Sequence, residues 1–179
     1  MEKKIKAIET IYRNITFRSR TEARWAFFFD EMRIAWKYEP KLFDLGGTRY
    51  LPDFFFPSDD LWIEIKHYGD RNLNKPRRFA ANGGRIIVLL GDPSRCEIFI
   101  QRSILVPGDN RLFLFPQASL SECECGNLAI GFGSNDPVIL TANKSRRHGP
   151  ECSFDPDVSS VGFVVCQSLS RKLKFTAAK

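Results

Sequence analysis

Two acidic side chains and one lysine stand close together in the middle of the chain. The dipeptide Pro52-Asp53 is followed, after ten residues, by Glu64, and Lys66 comes two residues later. Carboxylate oxygens are the hard ligands that Mg²⁺ and Mn²⁺ prefer, and an amine beside them can act on a metal-bound water. These residue types at this spacing are what metal-dependent hydrolysis of a phosphodiester requires.

The residues around this set predict an antiparallel hairpin. Two β-prone runs, 49–56 and 61–66, flank a short segment of turn residues. Because side chains alternate along a strand, Glu64 and the lysine share one face, and Asp53 can lie across from Glu64. Pro52 removes a backbone donor, which predicts a bulge or a parting of the strands there. A Glu-x-Lys alone is common on half-buried strands. The prediction of a catalytic site therefore depends on its combination with Pro-Asp.

A helix is predicted before this hairpin. Ser19 and Glu22 have the spacing of a capping box, with Ser19 as the N-cap. The apolar stripe that follows at helical spacing consists of Trp25, Phe28, Phe29 and Met32. Glu22 lies at the N-terminal end of that stripe. Its carboxylate therefore either caps the helix, or faces the sheet and the candidate site, or does both.

Together these features resemble the PD-(D/E)xK, or restriction-endonuclease-like, nuclease superfamily, and in particular its small members from phages and mobile elements. The resemblance covers about residues 15 to 105. It is carried by short segments in the order typical of the superfamily, namely residues 19–26, 36–40, 50–54, 62–66 and 85–93. The resemblance implies an α/β fold, with a restriction-endonuclease-like core in which helices flank a central mixed β-sheet.

The resemblance also implies roles for individual residues. Asp53 and Glu64 would bind Mg²⁺ or Mn²⁺, with the backbone carbonyl of Ile65 as a further ligand. Lys66 would orient or deprotonate the attacking water and stabilise the developing charge. Glu22 would complete the site through a metal-bound water or a second ion. The helix after the lysine strand lacks the Gln-x-x-x-Tyr pattern of the exonuclease branch, which counts against an exonuclease.

The charge distribution favours a nucleic-acid partner, most simply DNA. The chain has 27 Lys and Arg against 21 Asp and Glu, a formal net charge of +6. Residues 71–85 are basic without an acidic residue, and residues 13–24 are nearly so. The candidate DNA-binding residues are Arg20, Arg71, Lys75, Arg77 and Arg78. The alternative is that these stretches are an ordinary solvated face.

The C-terminal part carries a second candidate metal site. Cys123, Cys125, His148 and Cys152 would suffice for a tetrahedral structural Zn²⁺, and Cys166 competes as a fourth ligand. Cys-x-Cys is not the usual Cys-x-x-Cys pair. The alternative is therefore that these residues are ordinary thiols and a surface histidine.

Length and composition limit the number of domains and the cellular environments that the chain suits. The chain of 179 residues suits one core, expected over 1–106, and a small β-rich C-terminal appendage over 107–179 that is a candidate protein-docking element. There is no apolar run long enough to span a membrane and no apolar signal core at the N-terminus. Five cysteines at irregular spacing favour a reduced, cytoplasmic protein.

Three functions remain open on the sequence. The first is a divalent-metal-dependent DNA nuclease, either an endonuclease or a recombination or repair nuclease of a phage or mobile element. The second is a catalytically silent DNA- or protein-binding module on the same fold. The third is a zinc-stabilised interaction protein in which the acidic and lysine residues are structural. The sequence leaves the oligomeric state and the form of the nucleic acid open.

Overall fold

A six-stranded mixed sheet with a helix on each face forms the centre of the protein. The computed structural model describes residues 7–101, 108–115, 119–122, 128–131, 138–140 and 176–177. The helices in these residues are α1 (Arg20–Glu31) and α2 (Asn74–Ala81). In chain order the strands are β1 (Thr10–Tyr12), β2 (Ile15–Phe17), β3 (Lys37–Tyr38), β4 (Phe43–Asp44), β5 (Arg49–Tyr50), β6 (Phe54–Phe56), β7 (Leu61–Lys66), β8 (Ile86–Asp92), β9 (Arg95–Gln101), β10 (Leu112–Phe115), β11 (Ser119–Glu122), β12 (Leu128–Gly131), β13 (Val138–Leu140) and β14 (Thr176–Ala177).

The central sheet has the strand order β10-β9-β8-β7-β6-β3. Only the β7–β8 pair within it is parallel, and α2 is the crossover between these two strands. β8 is buried from Ile86 to Gly91, as its continuous apolar run predicts for a strand covered on both faces. The expected α/β fold with a central mixed sheet is therefore confirmed.

The predicted hairpin is confirmed in its second half and wrong in its first. β6 pairs with β7 in the register Phe54 to Ile63, but the ladder begins only at Phe54. Tyr50 belongs instead to β5, which pairs with β4 in a separate small hairpin. The strand is interrupted because Pro52 has no N–H to donate, and residue 53 forms a bend rather than a ladder pair.

The face of α1 is a closed aromatic core. Ser19 caps the helix through a hydrogen bond from the Glu22 N–H to its Oγ, at 3.2 Å. The predicted stripe is confirmed as buried. The ring of Phe29 lies 5.3 Å from that of Phe54 and 4.9 Å from that of Phe56, measured between centroids. Burying side chains of this size supplies about 1.5–3 kcal/mol each, so this face anchors the helix to the sheet.

The face of α2 is smaller and partly open. Phe79 of α2 packs edge to face against Phe43 and Tyr50, with centroid distances of 4.8 and 5.6 Å. A Cβ at Gly84 would lie 2.2 Å from Cε1 of Phe79, so only glycine lets this ring lie here. α2 starts without a side-chain cap. Its position therefore depends on packing rather than on capping.

Two small sheets complete the described residues. β1 pairs with β2 and with β14, and the strands β11, β12 and β13 form an antiparallel sheet in that order. The short β-rich elements expected after residue 107 are thus present in part. The division at residue 106 stays a prediction, and β10 and β14, which follow it, pair with strands that precede it. Cys123, Cys125, His148 and Cys152 lie outside the described residues, as does Cys166.

Among the described helices, none combines the length and the apolar character that crossing a membrane would require.

Candidate active site

The candidate site lies where β6 and β7 part. Asp53 comes immediately before β6, and only 4% of its surface is exposed. Its Oδ2 accepts a hydrogen bond from the backbone N–H of Ile65 at 2.6 Å, so the carboxylate takes the place of a ladder partner. The register of the hairpin brings Asp53 beside Glu64. The interruption of the strand at Pro52 therefore directs the carboxylate of Asp53 inward, next to Glu64.

Glu64 and Lys66 extend from the same face of β7, as alternation predicts. Lys66 Nζ lies 3.5 Å from Glu64 Oε1, and both side chains are largely buried. On its other side Lys66 Nζ lies 3.4 Å from Asp70 Oδ2. The hydroxyl of Tyr50 donates to Glu64 Oε2 at 2.8 Å. Both carboxylate oxygens of Glu64 thus have a neighbour that orients them. Lys66 is held next to the Glu64 carboxylate.

Glu22 joins the site from the start of α1 and also caps the helix. Its Oε1 accepts from Ser19 Oγ at 2.6 Å. Its Oε2 accepts from the hydroxyl of Tyr38 at 2.5 Å and from the backbone N–H of Arg18 at 3.2 Å. The negative charge of Glu22 is close enough to raise the pKa of Asp53. Glu22 therefore lies both at the N-terminus of α1 and near Asp53, and its role in a metal site stays a prediction.

These carboxylates repel one another in a dry environment. Burial, followed by the charges of Glu64 and Glu22, holds the pKa of Asp53 well above its ordinary value. Burial also raises the pKa of Glu64, opposed by the positive charge of Lys66 and by the Tyr50 hydrogen bond. Buried carboxylates of this kind favour a cation, because a positive charge relieves the repulsion between them.

Arg18 supplies a positive charge to this cluster. Its Nη2 donates to Asp53 Oδ1 at 2.9 Å and also forms an ion pair with Glu39. About half of its side chain, 56%, remains exposed, so it reaches the cluster from the solvent side. Sequence reasoning placed neither Arg18 nor Glu39, Tyr38 or Tyr50 in the site. The signals in the sequence were that Tyr38, Glu39 and Tyr50 belong to segments of the resemblance, 36–40 and 50–54, and that Arg18 belongs to the basic stretch 13–24.

The donor chemistry at this place suits a small divalent cation. In the described part of the chain, no group of three or more His, Cys, Asp or Glu side chains is arranged to hold a metal ion. Mg²⁺ needs fewer, since it keeps several waters and uses one or two carboxylates together with substrate phosphates. Asp53, Glu64 and the carbonyl of Ile65 are hard oxygen donors, and burial raises the pKa of both carboxylates despite the neighbouring Arg18 and Lys66.

The candidate DNA-binding residues divide into two kinds. Arg78 is tied to the small hairpin, since its guanidinium donates to the Thr48 hydroxyl at 2.9 Å and also to the Leu45 carbonyl. Arg71 pairs with Glu97 and donates to its Oε1 at 3.0 Å. Three are exposed and form no ion pair with another described residue, and these are Arg20, Lys75 and Arg77. They are the cations most available to a phosphate backbone.

Comparison of the chain with known proteins identifies no relative. Scans against protein-family models, curated protein sequences and solved structures each return no match to this chain. The function of this chain is therefore inferred from the arrangement of its own residues.

Proposed function

We propose that this protein is a divalent-metal-dependent nuclease that hydrolyses DNA phosphodiester bonds, acting in the cytoplasm as an endonuclease of the restriction-endonuclease-like type. The observation that carries the proposal is the meeting of Asp53, Glu64 and Lys66 at the parting of β6 and β7. Two buried carboxylates with raised pKa values lie there beside a lysine that contacts one of them at 3.5 Å. Arg18 is a cationic neighbour of Asp53 and Lys66 of Glu64, and burial still raises the pKa of both carboxylates.

Each side chain has a task in this proposal. Asp53, Glu64 and the carbonyl of Ile65 would hold Mg²⁺ or Mn²⁺. Such an ion polarises a phosphate and lowers the pKa of a water that it binds. Lys66 orients the attacking water and stabilises the charge that develops on the phosphorus oxygens. Since the carboxylates are placed by the Ile65 N–H and by the Tyr50 hydroxyl, little reorganisation is needed when substrate arrives.

Arg18 would change partners during binding. It neutralises Asp53 and Glu39 in the free protein, and its exposed side chain can turn towards a phosphate once a cation is bound. Together with the exposed Arg20, Lys75 and Arg77, it would form a surface that holds the backbone of the substrate on either side of the cleavage site. Such contacts position the strand without reading its sequence.

A plasmid-nicking assay tests the proposal. The wild type should convert supercoiled DNA to nicked or linear forms with Mg²⁺ or Mn²⁺ and should lose this activity in EDTA. Asp53→Asn and Glu64→Gln should each abolish cleavage, because each removes one charged ligand while keeping side-chain volume. Glu31→Gln is the matched control, since Glu31 is an exposed carboxylate at the opposite end of α1 from Glu22. Full cleavage by either site variant would refute the assignment.

A catalytically silent DNA-binding module is the second candidate, and Arg18 favours it. A guanidinium already compensates Asp53 at 2.9 Å, which is what a site without a metal would require. Calorimetric titration with Mn²⁺ separates the candidates. A nuclease should bind the ion in the wild type and lose that binding in Asp53→Asn. A silent module should bind DNA in EDTA but show no Mn²⁺ binding in either protein.

A further inference from the structure

A second concave surface lies on the α2 face of the sheet, beside the candidate site. It is a cleft of about 580 Å³ between the β4–β5 hairpin, α2 and the β6–β7 edge of the sheet. This volume is within the range of small-ligand pockets. Four aromatic rings form its wall, and these are Phe43, Phe55, Trp62 and Phe79. Of these, Phe43 and Phe55 are only half-buried, so part of each ring is open to a ligand.

The four rings pack against one another, and the outer sides of Phe43 and Phe55 stay partly exposed. Phe43 stands edge to face on Trp62, with centroids 4.9 Å apart and planes at 86°. Phe55 lies more nearly parallel to Trp62, at 4.5 Å and 33°. An additional flat ring can therefore be accommodated against the open side of Phe43 or Phe55. Flat aromatic surfaces of this kind bind nucleobases without regard to their identity, since every base has a π-face.

The rim of the cleft carries cations above the rings. Lys37, Lys41 and Arg85 line it, and Lys41 Nζ lies 5.0 Å from the centroid of Phe43. Two acidic residues, Asp44 and Asp60, also line the cleft. The lining thus has three cations against two acids, and Asp44 is already engaged by the Gly47 N–H at 2.6 Å. Aromatic walls with a cationic rim suit a base together with its phosphate.

The cleft and the candidate site are neighbours along β7, because Trp62 lines the cleft and Glu64 belongs to the site. Trp62 and Glu64 extend from the same face of β7, two residues apart, which is roughly 7 Å along a strand. That separation equals about two stacked nucleotide steps of roughly 3.4 Å each. The ring of Phe79 also contacts Tyr50, whose hydroxyl donates to Glu64. A nucleotide in the cleft would therefore lie one or two positions from a phosphate at the carboxylates.

We infer that this cleft binds an unpaired nucleobase of the strand that is cleaved. The substrate class would then be nucleic acid with unpaired nucleotides next to the scissile phosphate, such as a single strand, flap or junction. A fully paired base is covered on both faces by its neighbours and enters such a cleft only after extrusion from the duplex, which is energetically unfavourable. The inference rests on the proposed function only for the position of the scissile phosphate. Binding of a base in the cleft requires no cleavage.

The test therefore measures binding in EDTA, where no metal-dependent cleavage occurs. The probe is a single-stranded oligonucleotide with 2-aminopurine at every third position. Wild-type protein should quench its fluorescence through stacking, and the same strand in a fully paired duplex should show no protein-induced change. Phe43→Leu keeps an apolar side chain but removes the ring. It should weaken binding of the single strand by roughly tenfold and abolish the quenching.

Phe113→Leu is the matched control, because Phe113 is also a half-buried ring with a cation, Arg111, 5.1 Å from its centroid. It should bind and quench as the wild type does. Equal behaviour of Phe43→Leu and Phe113→Leu, or equal quenching of single strand and duplex, would overturn the inference. If Phe43→Leu does not fold, Lys41→Gln replaces it at an exposed position. That variant should weaken binding a few-fold, and unchanged affinity would overturn the inference too.

The outcomes separate the inference from the proposed function. Quenching that depends on Phe43, together with a plasmid assay in which the wild type and Asp53→Asn are equally inactive, would support the cleft and refute the nuclease. Cleavage that depends on Asp53, with no quenching in EDTA, would support the nuclease and refute the cleft.

Discussion

The two faces of the central sheet differ in how completely they are closed. On the α1 face, a capped helix buries Trp25, Phe28 and Phe29 against the strands, and each is 1% exposed or less. On the α2 face, a shorter helix without a side-chain cap leaves half-buried rings, exposed arginines and an open cleft. The α1 face therefore stabilises the fold through its closed core. The α2 face leaves surface that a ligand can reach. Substitutions on the α1 face should therefore change stability, whereas those around β7 on the α2 face should change activity and binding.

The largest effect should come from Lys66→Ala. Removing a group that acts on the attacking water lowers turnover by roughly 10²-fold to 10⁴-fold. DNA affinity should stay within a few-fold, because one lysine is a small part of the phosphate-binding surface. Because Lys66 is largely buried and ion-paired with Glu64, turnover is measured at a temperature where the variant is folded. Lys75→Ala is the control and should keep turnover. Normal single-turnover cleavage by Lys66→Ala would exclude a catalytic role for this residue.

The next largest effect should be on stability, from Phe29→Ala. Its ring contacts Phe54 and Phe56 in the closed core, and truncating such a ring costs about 3–5 kcal/mol. Phe27→Ala on the same helix is the control, because Phe27 is only half-buried. Urea unfolding followed by circular dichroism measures both. Equal losses for the two variants would show that the α1 face is not the anchor of the fold.

The pH dependence of stability should report the carboxylate cluster. Because folding raises the pKa of Asp53 and Glu64 above ordinary values of 3.8 and 4.5, the folded protein keeps their protons to higher pH. Their contribution is therefore fully present below those ordinary values and is lost as pH rises through the folded pKa values. Asp53→Asn removes one repelling charge, so its free energy of unfolding relative to wild type should increase as pH rises above the ordinary pKa of Asp53, 3.8. Measurements in EDTA that show the opposite trend would contradict the repulsion.

Local patterns predicted the parts of this site that depend on neighbours in sequence. The cap by Ser19, the shared face of Glu64 and Lys66, and the interruption at Pro52 all follow from short-range periodicity and backbone chemistry. Contacts between distant residues could not be predicted in this way. Arg18 and Asp53 form a hydrogen bond although they are 35 residues apart in the sequence. The pair forms because the fold brings the start of α1 next to the open end of the β6–β7 hairpin.

The same limit explains the error at Tyr50. Its β-prone neighbourhood predicted a continuous strand, but the ring packs against Phe79 of α2 and the hydroxyl reaches Glu64. Phe79 belongs to α2, which a hairpin pattern does not include. The interruption at Pro52 separates Tyr50 from β6, and the contacts of Tyr50 with Phe79 and Glu64 help to orient a site carboxylate.

A smaller effect is expected from Ser19→Ala, which tests whether the cap and the site are coupled. Loss of the cap should cost about 1 kcal/mol of stability. It should also free Glu22 Oε1, which now accepts from Ser19 Oγ at 2.6 Å. Thr21→Ala in the same turn is the control. If Glu22 serves the site, Ser19→Ala should reduce cleavage more than Thr21→Ala does, at a temperature where both variants are folded. Equal cleavage by the two would restrict Glu22 to capping.

The smallest effect should separate two adjacent arginines on α2. Arg77 is exposed and forms no ion pair with another described residue, whereas Arg78 is bonded to the β4–β5 hairpin through Leu45 and Thr48. Arg77→Ala should therefore lower DNA affinity equally for all sequences and reduce the salt slope of binding by about one unit. Arg78→Ala should instead lower the unfolding temperature, because its hydrogen bonds hold the hairpin that forms one wall of the cleft. Fluorescence anisotropy at several salt concentrations, with thermal unfolding measured in parallel, distinguishes them. Identical salt slopes for Arg77→Ala and the wild type would mean that this side of α2 is only a solvated face.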